Sequence, residues 1–176
     1  MKTLKQILLG SAMVLGIVAL ASCSDDNKMI GSWENSTPVA VFPVIEGTVS
    51  ATETSTFDFA AGADSKSGPV KLTTVYQMTL PADSTGVAPM STVNATIDGT
   101  WTRDDDDDDD FFISFDKNSL SVNAVSAPSL GPVTAAFLAG LSKYSKIDDV
   151  EVNKEGSVLT FEDTADTKYV MSRVNK

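Results

Sequence analysis

Apolar and polar side chains alternate with period two along much of this chain, which restricts it to antiparallel strands that set one face against a core. The pattern is clearest from Val70 to Leu80. There Val70, Leu72, Thr74, Tyr76, Met78 and Leu80 share one face, opposite Lys71, Thr73, Gln77 and Thr79. Val93, Ala95, Ile97, Gly99 and Trp101 repeat the scheme against Thr92, Asn94, Thr96, Asp98 and Thr100. Phe111, Ile113 and Phe115 follow, and Asp116-Lys117-Asn118 is expected to turn the chain back through Leu120, Val122 and Ala124 as a hairpin. Further strands are expected at 48–59, 150–152, 158–161 and 169–174, with Lys154-Glu155-Gly156 joining two of them. Roughly eight strands joined by short links predict a mainly β fold, an antiparallel up-and-down meander closed as a barrel.

One segment departs from the alternation. Val133, Ala136, Phe137, Gly140, Leu141 and Tyr144 recur at helical spacing behind Gly131-Pro132, which predicts one short amphipathic helix. Proline suits a first turn because its missing amide hydrogen would have no helical partner there. The helix is expected to act as a plug on the barrel core, with a lid over a barrel mouth as the alternative. If the barrel encloses a cavity, its expected lining is Tyr76, Met78 and Trp101 from the strands and Phe137 and Tyr144 from the helix. Ordinary core packing is the competing fate of the same residues. Val41, Phe42, Val44 and Ile45 around Pro43 form a second apolar cluster, open to reading as lid loop, contact patch or buried strand.

Residue types close several chemistries. The 176 residues include one cysteine and no histidine, so an internal disulfide, a Cys/His zinc site and a Ser/His/Asp triad each lack a member. No enzyme is expected. Carboxylate chemistry is the one route left open, since a glycosidase needs only two acids about 5–9.5 Å apart. No local motif marks such a pair around Glu34, Glu46, Glu53 or Glu162. With 24 acidic and 13 basic residues and no basic cluster, nucleic acid is not an expected partner. No cofactor is expected either.

Asp104 to Asp110 is an unbroken run of carboxylates between two expected strands. A calcium site could draw on Asp104, Asp106, Asp108 and Asp110, because hard oxygen ligands suit that ion. The run offers no glycine to turn the loop and no mixed oxygen donors, so a solvated strand connection that blunts edge pairing is the expected reading.

The N-terminus carries an address. Lys2 and Lys5 precede an apolar stretch from Ile7 to Leu20, which ends in Leu20-Ala21-Ser22-Cys23, the layout of an export signal. The stretch is shorter than the ~20 residues that span a bilayer. These last four residues resemble the lipobox of bacterial lipoproteins. That resemblance implies cleavage before Cys23, a thioether lipid on its sulfur and an acylated amine, and two or more acyl chains anchor durably. Ser24-Asp25-Asp26-Asn27 resembles the acidic surface-export signal of bacteroidete lipoproteins, which implies the outer membrane and an outward face. The expected organisation is a cleaved signal at 1–22, an acidic tether and export signal at 23–28 and one domain at 29–176. Roughly 150 residues support one domain with a real core.

At Met29-Ile30-Gly31-Ser32-Trp33 the chain resembles the lipocalins and calycins, whose first strand opens with Gly-x-Trp. In those families an arginine near the end of the barrel packs over that tryptophan, and Arg173 stands at the corresponding place. The resemblance implies a lipocalin-like barrel closed at one end by the Trp33–Arg173 pair. With the signal, it identifies the chain as similar to the small lipocalin-like lipoproteins of bacteroidetes. The implied function is a lipid-anchored outer-membrane module, exposed at the cell surface, that binds a small apolar or glycan-derived ligand. The alternative is a structural or interaction lipoprotein of an envelope complex, with a packed barrel and a protein partner instead of a ligand.

Overall fold

The computed structural model describes residues 28–39, 50–64, 66–82, 84, 86, 90–125 and 131–175. The signal, Cys23, Ser24, Asp25, Asp26 and the 41–45 cluster lie outside them. Among the described residues, nine strands, β1 (Gly31–Val39), β2 (Ser50–Phe59), β3 (Ser67–Thr79), β4 (Met90–Arg103), β5 (Phe111–Phe115), β6 (Ser121–Val125), β7 (Lys146–Val152), β8 (Val158–Glu162) and β9 (Lys168–Arg173), and one α-helix, α1 (Gly131–Gly140), build the fold. Each strand pairs antiparallel with its neighbour, and β9 returns to β1, so eight positions close into an up-and-down barrel. This is the architecture that the alternation predicts.

Eight positions hold nine strands because β5 and β6 share one. The expected hairpin between them does not form. Both run alongside β4, β5 against Gly99–Arg103 and β6 against Thr92–Thr96. A 3-10 turn at Lys117–Ser119 inserts between them without reversing the chain. Asp116 accepts from the Asn118 amide at 2.9 Å, its own amide donates to the Asp98 carbonyl at 2.9 Å, and the Asp98 amide donates to Ser119 Oγ at 2.8 Å. Polar turn residues thus take over the backbone partners of Asp98, and the strand resumes on the same edge.

Alternation becomes burial where it is expected. Val70, Leu72, Thr74, Tyr76 and Met78 are buried on β3, as are Val93, Ala95, Ile97 and Trp101 on β4. These two strands make the longest ladder, from Ser67↔Thr102 to Thr79↔Met90. The rings of Phe57, Phe161, Tyr144 and Tyr169 meet edge to face or stacked, with centroids 5.1–6.4 Å apart. Burying each such ring contributes on the order of 1.5–3 kcal/mol.

Two seams in the wall are short. β5 meets β7 only at Phe111↔Ile147 and Phe112↔Lys146, and β1 meets β9 only at Trp33↔Arg173 and Glu34↔Ser172. At the second seam the Arg173 guanidinium lies 4.4 Å from the Trp33 ring centroid, the pair expected from the sequence. Arg173 also donates to the Ile30 carbonyl at 3.3 Å, while the Trp33 indole donates to the Met29 carbonyl at 2.7 Å. A cation over an indole gains about 0.5–2 kcal/mol. Gly31 makes room for it, since a Cβ there would lie 3.1 Å from Arg173 Nη1 on a backbone with φ +142°.

After β6 the chain enters α1 and a 3-10 turn, Leu141–Tyr144. Val133, Phe137, Leu141 and Tyr144 are buried in the core, whereas Ala136 is exposed and Gly140 is half-buried. The helix therefore buries a narrower stripe than the spacing predicts, and it follows β6, whose last residue pairs with Thr92 at the upper end of the barrel. The loops β2–β3, β4–β5 and β7–β8 form the lower end, where the chain also enters at Lys28.

Close backbone approach at that lower end yields a test. A Cβ on Gly68 would lie 2.1 Å from the Ala60 carbonyl and 2.8 Å from Trp101 Nε1, which itself donates to Ala60 O. Gly68→Ala should cost about 3 kcal/mol in urea unfolding, at the upper end of overpacking effects. Gly140→Ala, with nothing within 4 Å of the new methyl, should be neutral or stabilising by up to about 1 kcal/mol.

Candidate functional site

The barrel interior changes character along its axis. The lower half is filled by Trp33, Phe57, Phe59, Leu72, Ile97 and Trp101, all at most 3 % exposed. Toward the helix the inward positions become mixed: Asn35 and Thr37 on β1, Glu53 and Ser55 on β2, Thr74 and Tyr76 on β3, and Ser91 on β4 stand among buried Ala51, Met78, Val93 and Ala95. Ser55, Thr74 and Ser91 are buried, and the Ser55 and Thr74 hydroxyls bond each other at 3.1 Å. Buried hydroxyls need partners, and here they supply them mutually.

Above the Glu34↔Ser172 pair, β1 and β9 separate. There the Asn35 side-chain amide, donating to the Val170 carbonyl at 2.7 Å, bridges them. The gap opens into a cleft of 310 Å³ between β1, β2, β9 and the 3-10 turn. Phe57, Tyr144, Tyr169 and Met171 give it an apolar wall, and Asn35, Thr37, Glu53, Ser55, Lys143, Thr167 and Lys168 give it a polar one. Its volume lies at the lower end of the range for small-molecule sites, about 300–1,000 Å³.

Glu53 is the single carboxylate in this lining. One of its oxygens accepts from Ser55 Oγ at 3.3 Å, and no described cation pairs with it. Its charge is felt inside the barrel. Burial first, and then the Glu53 carboxylate, push the Tyr76 hydroxyl well above the usual tyrosine range. Tyr144 is pushed up by burial, by Tyr169 and by Glu53. Lys143 spends its charge on aromatic faces, 4.6 Å from the Tyr144 centroid and 5.4 Å from that of Tyr169.

The rings are held by a turn built on Asp163, a carboxylate only 3 % exposed. Oδ1 accepts from the Ala165 and Thr167 amides at 2.8 and 3.1 Å, and Oδ2 accepts from the Tyr169 hydroxyl at 3.0 Å. Tyr169 then stacks on Phe161 at 5.1 Å. The Thr164 amide donates to the Lys143 carbonyl at 3.1 Å, joining this turn to the helical segment. Desolvation alone would raise the Asp163 pKa, but its three donors outweigh it and hold the carboxyl below its ordinary value.

A second, open depression of 1010 Å³ runs beside the aspartate run, lined by Lys28, Arg103, Asp108, Asp149, Glu151 and Glu162 among others. The run itself is tied down by cations. Lys66 pairs with Asp105 at 2.9 Å, Arg103 with Asp108, and Lys146 with Asp110 at 2.7 Å and with Asp148 at 2.8 Å. Those two aspartates raise the Lys146 pKa. Asp104 accepts from the Asp106 amide and Asp107 from the Asp109 amide, each at 3.1 Å. Three of the four calcium candidates are thus engaged with different partners: Asp104 with a backbone amide, Asp108 with Arg103 and Asp110 with Lys146. Among the described residues no group of three or more His, Cys, Asp or Glu side chains converges to hold a metal ion.

Of the residues expected to line a cavity, Tyr144 alone reaches the cleft. Met78, Trp101 and Phe137 are packed in the core, and Tyr76 is buried on the neighbouring strand. Size and apolarity marked those side chains, and the same properties drew them into the filled part of the barrel. The polar lining was accessible from parity instead. Phe57 and Phe59 fix which face of β2 points inward, and counting back by twos places Ser55 and Glu53 on it.

Scanning protein-family models gives no match for this chain, and a search of curated proteins gives none either. Geometry therefore carries the functional reading.

Asp163 gives a pH test with a defined sign. Its folded pKa lies below the unfolded carboxylate value of about 4, so its contribution is present above that pH and fades as pH falls through the folded value. Asp163→Asn should cost about 1–3 kcal/mol at pH 7, the range for charge-assisted hydrogen bonds and their loss. In denaturant titrations the cost should shrink progressively below about pH 4.

Proposed function

We propose that this protein is a lipid-anchored, lipocalin-like barrel of the outer membrane, exposed at the cell surface, that holds a small glycan-derived ligand in its upper cleft. The cleft between β1 and β9 carries the reading. A sugar ring presents hydroxyls at its rim and apolar C–H faces above and below. Phe57, Tyr144 and Tyr169 offer aromatic surface to such faces, while Asn35, Thr37 and Lys168 offer donors and acceptors to the hydroxyls. A purely apolar ligand would leave these polar groups desolvated without partners. Of the two ligand classes that the sequence suggests, the lining suits the glycan-derived one.

The anchor rests on Leu20-Ala21-Ser22-Cys23 and the export on Ser24-Asp25-Asp26. No described helix is long and apolar enough to cross a membrane. Attachment through lipid on Cys23 is thus the route proposed. A second reading is the envelope-complex subunit. The filled lower barrel favours it, as do the apolar side chains of Met90, Phe112 and Val170, which are 65, 45 and 54 % exposed.

Labelling with a radioactive or clickable fatty acid should mark the wild-type protein and leave Cys23→Ser unmarked, with the variant lost from the membrane fraction. Native mass spectrometry of protein taken from its source envelope should show a saccharide-sized adduct. Tyr169→Leu should weaken retention at least about tenfold, a loss of about 1.4 kcal/mol. Protein that carries lipid and no adduct, and that copurifies with envelope proteins, would transfer the assignment to the second reading.

A further inference from the structure

We infer that the upper cleft selects ligands bearing a free amine, and that Glu53 is the residue that recognises it. This deepens the proposed function and rests on it: among glycan-derived compounds the site would take an amino sugar with an unsubstituted ammonium group.

The inference starts from an imbalance of charge. Glu53 stands on the inward face of β2, between buried Ala51 and buried Ser55. Glu53 is half-buried there, and a sheltered acid commonly carries a partner of opposite charge. Glu53 has only the Ser55 hydroxyl, at 3.3 Å. Other sheltered carboxylates have stronger partners. Asp163 receives three donors, and Asp110 and Asp148 share Lys146.

The neighbouring cations do not fill the vacancy. Lys143 shares the cleft, yet its ammonium lies over the Tyr144 and Tyr169 rings and makes no ion pair with Glu53. Lys168 lines the cleft from the start of β9 and likewise makes no ion pair with it. The nearby tyrosine hydroxyls bring no positive charge. Tyr76 and Tyr144 both feel the Glu53 charge through space, and both stay protonated at neutral pH because burial opposes their ionisation.

An entering ammonium would meet that carboxylate beside Thr37, its register partner on β1, where a charge-assisted hydrogen bond is stronger than a neutral one. The rest of a sugar ring would lie against Tyr144 and Tyr169, with its hydroxyls toward Thr37, Asn35 and the rim lysines. Those lysines also oppose a simple aliphatic diamine, which would bring a second positive charge to the rim.

Calorimetric or NMR titration with three matched sugars tests this: glucosamine, N-acetylglucosamine and glucose, at pH 6.5. Glucosamine should bind about tenfold more tightly than either analogue, and Glu53→Gln should abolish that preference while its thermal midpoint stays within a few degrees of wild type. Glu53→Asp should restore part of the preference, which a merely structural role would not do. Equal binding of all three sugars to the wild type would overturn the amine inference and leave the ligand-binding reading intact. A preference that survives Glu53→Gln would overturn the assignment to Glu53. Binding of none of the three would overturn both readings.

Discussion

Closure of the barrel depends on a seam two residue pairs long. At Trp33↔Arg173 and Glu34↔Ser172 the last strand meets the first, and the guanidinium over the indole supplies side-chain attraction where the ladder is shortest. Extending the ladder upward would bring β1 and β9 together over the polar interior and remove the cleft. Removing it altogether would leave two open strand edges, which proteins tend to blunt or cover. The short seam is therefore a compromise: it closes the sheet at the filled end and leaves it parted at the polar end. Gly31 belongs to the same device, because a side chain there would displace the arginine.

The parted region stays ordered through a second set of contacts. Asp163 gathers two amides and a tyrosine hydroxyl, and that tyrosine stacks on Phe161 and meets Tyr144 edge on. A charged group with its bonds satisfied thus fixes the rings that wall the cleft. Glu53, across the opening, has one weak bond and no cation. The contrast between two sheltered carboxylates, one saturated and one not, separates a structural role from a recognition role.

Much of this fold was legible because inward and outward residues differ so plainly on β3 and β4. Alternation there set the strand faces, and the Gly-x-Trp and Arg173 signals identified the closing pair. The hairpin error at 111–124 has a physical origin. Asp-Lys-Asn is as good a composition for a 3-10 interruption as for a reversal, and the choice was made by Asp98, a partner elsewhere in the sequence. The site was harder to read. On β2 polar residues stand on both faces, Glu53 and Ser55 inward and Ser50, Thr52, Thr54, Thr56 and Asp58 outward, so polarity alone does not mark Glu53 as inward. Only the parity imposed by Phe57 and Phe59 does so. Nor can composition reveal that β1 and β9 diverge after Glu34, since that depends on how many residues each strand contributes to a shared wall.

Proposed anchoring at Cys23 has a consequence for how the two ends face. The described chain enters the barrel at Lys28, at the lower end, and five residues from Ser24 to Lys28 reach at most about 17 Å at ~3.3 Å each. A lipid on Cys23 would hold the lower end near the bilayer, together with the aspartate run. Among the described residues, Lys66, Arg103 and Lys146 pair with Asp105, Asp108 and Asp110, and the run as a whole carries more negative charge than these three cations balance. Anionic head groups would repel such a loop over about one Debye length, 8–10 Å at physiological salt. Under that proposal tether and repulsion would act in opposite directions on the same end of the barrel, one pulling it toward the membrane and the other holding it off the surface. The β1–β9 cleft opens at the other end, where a ligand arriving from outside would meet it first.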